Sequence, residues 1–340
     1  MLRTSGLVAA AVSVIAVSTA GAAGAATTRA AAAPSGIVDV YTNLGYQDAQ
    51  AAGTGIVLTS SGVVLTNNHV IRGATTVKAV DLDNGRTYKA TVLGYTVHGD
   101  VAAIQLQNAS GLATAPLGHS SNLRVGESVT TYGNAGGAGG APSAAAGKIV
   151  GVGRSITARD DSGNSETLTG LIETNATLQP GDSGGPMVDA TGHVIGMDTA
   201  ASSSFTFESQ VSRGFAVPID RATSIVSQIV DGRSSATIHI GKTAFLGLSV
   251  QSSDPFFGQG EPGASGLVIT EIVPGSPAAR IGLNPSDVLT KFDGKTITTP
   301  GSLTALMVTK SPGQTVQIHW VDAYGTAHTS TITLASGPPQ

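Results

Sequence analysis

A chain of 340 residues has room for two folded units and a terminal extension, but not for three ordinary domains. Its net charge is -4 with only 12% charged residues, and no run of Lys or Arg is dense enough to follow phosphates, which argues against nucleic acid as a partner. There is no cysteine, hence no disulfide, thiol nucleophile or lipidated cysteine, while 45 glycines point to short strands joined by tight turns.

At the start, Arg3 precedes the apolar run Leu7 to Val17, and small residues follow to Ala23-Gly24-Ala25. This is the pattern of a cleavable export signal, with cleavage expected near Ala25 or Ala33. The apolar core is too short to span a bilayer stably in the mature protein. Strand-like alternation begins at Gly36 to Tyr41. Further strands are expected at Gly55 to Leu58, Val63 to Thr66, Thr75 to Val80, Tyr88 to Leu93, Ala102 to Leu106, Ser128 to Tyr132 and Lys148 to Val152, a spacing that suits a barrel. Gly133 to Gly147 and Asp160 to Ser165 read as loops. Val217 to Val230 shows helical spacing, and the polar run Asp231 to Ser235 then separates two units. Beyond it, strands at Leu267 to Ile272, Val288 to Phe292, Val316 to Val321 and Ser330 to Leu334, with a helix from Ser302 to Thr309, make one α+β unit.

Gly181-Asp182-Ser183-Gly184-Gly185-Pro186 carries the strongest chemical signal. A serine flanked by glycines can sit on a sharp turn with its hydroxyl accessible and backbone N–H groups converging on one point, as acyl transfer requires. Alone, the segment is as readily an ordinary turn. Two partners decide for chemistry. His69 follows the apolar strand Val63-Val64-Leu65, at the rim of a barrel, where it can act as general base. Asp100 precedes the buried strand Val101 to Ile104 and can orient the imidazole. The order His, Asp, Ser matches the chymotrypsin arrangement, a worked case of this chemistry, and differs from subtilisin and the α/β-hydrolases. Gly181 and Ser183 are the expected oxyanion donors.

The segments Thr66-Asn67-Asn68-His69-Val70 and Gly181 to Pro186 resemble the HtrA/DegP-like trypsin-fold proteases of bacteria, and in detail the secreted PepA-type proteases of mycobacteria and other actinobacteria. The resemblance implies a mostly β protein: a chymotrypsin-like pair of six-stranded barrels with the triad between them, followed by a small α+β PDZ domain. It divides the chain into a leader over 1–33, a protease domain over 34–232, a linker over 233–240 and a PDZ domain over 241–336. Ala244-Phe245-Leu246-Gly247-Leu248 resembles the carboxylate-binding loop of PDZ domains, so Phe245, Leu246, Gly247 and Leu248 are the expected peptide-binding residues.

Asp182 stands where many members of the family have asparagine, and in the digestive enzymes this aspartate pairs with an amine freed by cleavage. A cut after Gly36 would free such an amine on Ile37, although activity without a cut is the expectation. Thr177, six residues before Ser183, replaces the acid that selects basic side chains in trypsin. With Thr199, Ala200 and Ala201 it predicts a small, neutral specificity pocket suited to apolar side chains of small or medium size. No metal or other cofactor is expected: His98, His119, His193, His239, His319 and His328 lack ligand spacing and read as surface or strand residues. The expected partners are protein or peptide substrates and apolar C-terminal peptides. The residues leave open whether the segment around Tyr41 and Tyr46 forms the homotrimer common in the family, and whether the chain is instead a chaperone-like binder with a resting site.

Overall fold

Alternation of inward Val77 and Ala79 with outward Thr76 and Lys78 turns one face of their strand to the core of the first unit. The computed structural model describes residues 33–159, 165–199, 213–252 and 266–340. The expected export signal, Ala200, Ala201 and most of the stretch Asp160 to Ser165 lie outside these residues.

Strands β1 (Ile37–Leu44), β2 (Ala49–Val57) and β3 (Val63–Thr66), the short helix α1 (Asn68–Ile71), and strands β4 (Thr76–Asp81), β5 (Thr87–Thr96) and β6 (Val101–Leu106) come first. The strands close in the order β5-β4-β1-β2-β3-β6, with β6 pairing back onto β5. Strands β7 (Ser128–Gly133), β8 (Ser143–Arg159), β9 (Ser165–Thr174), β10 (Pro186–Asp189), β11 (Val194–Asp198) and β12 (Gly214–Pro218) close a second barrel. Helix α2 (Ile219–Val230) buries Ile219, Ala222, Val226 and Ile229 in the cluster that also holds Leu65 and Val101 of the first barrel and Val188 and Met197 of the second.

Two sequence expectations are corrected here. The segment read as a loop up to Gly147 becomes strand from Ser143, paired with β7 from Gly133↔Ser143 to Ser128↔Lys148. Its small side chains hid the strand, and they are required: a Cβ on Gly147 would stand 2.5 Å from the backbone nitrogen of Ala176. The helix expected from Val217 starts at Ile219, because Val217 pairs with Met197 in the barrel. Strands β9 to β12 carried no clear period; β11 is buried along its whole length and shows no alternation.

Strand β13 (His239–Ile240) adds to the first sheet at Tyr95 and Gly94. After it come β14 (Thr243–Phe245), β15 (Leu248–Ser252), β16 (Leu267–Ile272), helix α3 (Pro277–Arg280), β17 (Val288–Phe292), β18 (Lys295–Thr296), helix α4 (Pro300–Val308), β19 (Thr315–Val321), β20 (Ala327–Thr333) and β21 (Ala335–Gly337). The sheet runs β15-β16-β17-β19-β20 over a core that includes Leu267, Leu289, Phe292, Ile318 and Trp320, and β14 pairs with β21. Thr299 and Ser302 form a capping box at the start of α4, and Pro300 takes the first helical turn. His239, read as a surface or strand residue, is buried and structural: Nδ1 lies 2.9 Å from the Val308 carbonyl and Nε2 3.2 Å from that of Lys242.

Candidate active site

The turn after β3 places His69 in α1, where three interactions aim it at Asp100. The His69 backbone N–H donates to Asp100 Oδ1 at 3.0 Å, and its Nδ1 lies 3.1 Å from Oδ1 and 2.9 Å from Oδ2. An ionised carboxylate only accepts, so Nδ1 carries the proton and Nε2 keeps a lone pair for base chemistry. Asp100 itself is buried at the start of β6, in a left-handed backbone conformation with φ 49° that Asp tolerates better than most residues. Asn67 Nδ2 donates to the Asp100 carbonyl at 2.9 Å, and the Thr199 hydroxyl donates to Oδ2 at 2.7 Å. Burial pushes the Asp100 carboxyl up, but the charge of His69 and the hydrogen bonds from His69 and Thr199 outweigh it and hold the group below the ordinary carboxylate value.

Ser183 is brought to the same region by a backbone bond between the barrels. Its carbonyl accepts the Thr54 N–H at 2.8 Å, and the Thr54 carbonyl accepts the hydroxyl of Thr66, which lies three residues before His69, at 2.7 Å. The glycines around the serine are sterically obligatory. Gly181 (φ 98°) and Gly184 (φ 86°) occupy the left-handed region, and a Cβ on them would fall 2.0 Å from the Asn134 carbonyl oxygen and 2.1 Å from that of Thr54. The Pro180 carbonyl accepts the Gly136 N–H at 2.7 Å, and in a trans peptide this turns the Gly181 N–H the opposite way.

Asp182 needs no freed amine in this arrangement. Its carboxylate accepts the Gln179 N–H at 2.8 Å and the Ser143 hydroxyl at 3.0 Å, while Ile37 is buried within β1. Burial raises the Asp182 pKa against those two hydrogen bonds. Asp198, at the end of β11, is completely buried, and neither carboxyl oxygen has a hydrogen-bond partner among the described residues. Burial first, and the charge of Asp182 second, push it well above the ordinary carboxylate value. Its backbone nonetheless frames the serine: the Asp198 carbonyl accepts the Gly184 N–H, and its N–H donates to Gly185, both at 2.8 Å.

Of the residues expected to line the specificity pocket, Thr177 is exposed, whereas Thr199 is buried with its hydroxyl on Asp100. Sequence reasoning missed the bracing roles of Thr54, Asn134, Ser143 and Thr199, and it missed Asp198 altogether. No spacing could have found them, because Thr54, Asn134, Ser143 and Thr199 meet their partners 39 to 127 positions away and Asp198 is marked only by its burial. Among the described residues no cluster of three or more His, Asp or Glu forms a metal site.

The segment Phe245 to Leu248 runs from the end of β14 to the start of β15. The Gly247 carbonyl accepts the Val273 N–H at 2.9 Å and the Ser276 hydroxyl at 3.1 Å, and the Leu246 carbonyl accepts the Ala278 N–H at 2.9 Å. The Phe245 ring stacks on Tyr46, with centroids 5.1 Å apart. Among the described residues β15 has one strand partner, β16.

A trypsin-like peptidase domain profile matches residues 53–197, and a PDZ domain profile matches residues 244–321. The chain is 31% identical to the serine protease PepD of Mycobacterium tuberculosis, over 88% of this chain and 63% of that protein. It is also 31% identical to the periplasmic pH-dependent serine endoprotease DegQ of Escherichia coli, over 80% of this chain and 57% of that one. The chain thus spans roughly six-tenths of the length of the curated relatives it matches. Among solved structures, the HtrA-type protease AlgW with tripeptide superposes with a TM-score of 0.50 at 28% identity, covering 91% of this chain and 96% of that one.

Proposed function

The chain belongs to the HtrA/DegP family of trypsin-like serine proteases that carry a PDZ domain, and on that premise we propose that it is an exported serine endopeptidase acting on unfolded or misfolded proteins. The observation that carries this reading is the His69–Asp100 pair, closed at 2.9 Å and tied through Thr66 and Thr54 to the backbone of Ser183. In the reaction, His69 Nε2 takes the Ser183 hydroxyl proton as the oxygen attacks the scissile carbonyl carbon. The Gly181 and Ser183 N–H groups stabilise the oxyanion. Collapse expels the amine with the proton from His69, and water, activated by the same imidazole, then hydrolyses the acyl-enzyme.

Residues 34–232 serve as the protease domain, 233–240 as a linker and 241–336 as the PDZ domain. In the latter, a C-terminal peptide adds as a strand beside β15, its carboxylate received by the backbone of Phe245 to Leu248. The resemblance carried by Thr66 to Val70 and Gly181 to Pro186 supports the PepA-type subgroup. A neutral Thr177 supports cleavage after apolar side chains of small or medium size, and the family supports a homotrimer.

The test compares casein hydrolysis by the purified mature protein with that of Ser183→Ala, with and without an apolar C-terminal peptide. Hydrolysis lost in the variant and increased by the peptide is the expected result. Absence of hydrolysis together with failure of a fluorophosphonate to label Ser183 would refute the peptidase reading and leave a peptide-binding protein.

A further inference from the structure

Thr54 is completely buried in β2, and each of its polar atoms is engaged with the machinery around Ser183. The N–H donates to the Ser183 carbonyl at 2.8 Å, and the carbonyl accepts the Thr66 hydroxyl at 2.7 Å. The hydroxyl donates to the Gly181 carbonyl at 2.8 Å and accepts the Asn134 N–H at 2.9 Å. A hydroxyl has a single proton, so the bond to Gly181 fixes its direction and leaves a lone pair for Asn134.

Gly181 is the point where such a clamp matters. Without a Cβ, a glycine changes its backbone angles at little cost, so the peptide groups on either side of it can rotate unless something holds them. Two bonds do so here: Gly136 holds the Pro180 carbonyl and Thr54 holds the Gly181 carbonyl. With both carbonyls tethered, the N–H between them points one way. We propose that Thr54 is a positioning residue for the oxyanion site: by holding the Gly181 carbonyl its hydroxyl fixes the peptide after Gly181 and so keeps the preceding Pro180–Gly181 peptide, whose N–H Gly136 aims, from rotating. This rests on the peptidase reading above. The chemistry is particular to a hydroxyl: Val fills the same space but leaves the Gly181 carbonyl and the Asn134 N–H unpaired.

The experiment measures kcat and KM for fluorescein-labelled casein, per active site, for the parent, Thr54→Val, Thr54→Ser and Ser183→Ala, together with the pH profile of kcat/KM and Tm. The expected result is a kcat about ten- to a hundred-fold lower in Thr54→Val, the scale of a misplaced catalytic group. KM stays within about twofold, the acid limb of the profile does not move, and Thr54→Ser restores kcat to within about threefold. A Thr54→Val protein with a lowered Tm but a kcat within about twofold of the parent overturns the proposal and leaves the peptidase reading standing. Should Thr54→Val fail to fold, Thr54→Cys against Thr54→Ser decides, because the thiol is similar in size but a weak donor. Equal kcat in those two overturns the proposal. A parent that neither hydrolyses casein nor reacts with a fluorophosphonate overturns both readings, a result distinct from the others.

Discussion

Thr199 donates its hydroxyl to Asp100 Oδ2 at 2.7 Å, on the same oxygen that lies 2.9 Å from His69 Nδ1. Thr199→Val removes one of the bonds that hold the Asp100 pKa below its ordinary value. A depressed carboxylate pKa stabilises the fold above the unfolded value and loses that contribution as pH falls through the folded one. The variant is therefore expected to unfold at a higher pH on acid titration, and to lose roughly tenfold in kcat as the imidazole is held less firmly. Tm between pH 2 and pH 5, with kcat at neutral pH, measures both.

Asp100→Asn keeps the shape of the side chain but can present N–H groups to His69 Nδ1, which selects the wrong tautomer. A loss of about 10⁴ in kcat is expected, as in the serine protease template. Ser183→Ala should abolish fluorophosphonate labelling with Tm nearly unchanged. Casein hydrolysis and labelling assays on both variants check this, and a residual rate in Asp100→Asn near the parent's would exclude Asp100 as the orienting group.

Asp198 provides a pH-dependent stability prediction of opposite sign. Its pKa is raised, so the charged form is the disfavoured one, and stability falls as pH rises from the unfolded value towards the folded one. Asp198→Val removes a buried carboxyl that has no hydrogen-bond partner among the described residues from a strand position that suits a β-branched side chain. The variant's Tm should exceed the parent's most at neutral pH, with the gap narrowing in acid. Thermal melts from pH 4 to pH 8 test the slope.

The end of the chain folds back onto the His69 helix. Pro339 accepts the Gly73 N–H at 2.9 Å, the Gln340 carbonyl accepts Asn68 Nδ2 at 3.1 Å, and the Gln340 N–H donates to the Tyr95 hydroxyl at 3.1 Å. Deleting Pro338 to Gln340 removes three hydrogen bonds, each with a net value of about 1 kcal/mol, so a loss of about 2–3 kcal/mol is expected. Urea unfolding at neutral pH gives the number, and an unchanged midpoint would show that the tail is not tied down in solution.

Ile229 is buried in the core cluster that α2 shares with both barrels. Ile229→Ala is expected to cost about 2–5 kcal/mol of stability, because the surrounding structure relaxes only partly into the space it leaves. The urea midpoint should fall while kcat per folded molecule is retained.

Much of this architecture was legible residue by residue. The alternation in β4, the apolar run into β6 and the helical spacing of α2 report burial within a few neighbours, and local burial is what sequence periodicity encodes. The chemically distinctive residues were legible as well, because a glycine-framed serine, a histidine after a buried strand and an aspartate before one each carry a local signature. Strand β8 was hidden where small side chains gave no alternation, and β11 where burial on both faces erased it.

The companions of those residues were settled elsewhere. Thr54 reaches Gly181 across 127 positions and Asn134 across 80, and Thr199 reaches Asp100 across 99. A threonine in a strand looks the same in the sequence whether its hydroxyl braces a loop or faces water. The partner is chosen only when barrel closure fixes which backbones pass within hydrogen-bond distance. Local composition therefore pointed to Ser183, His69 and Asp100, and long-range packing alone decided what holds them in place, because a periodic pattern contains no information about a contact it does not span.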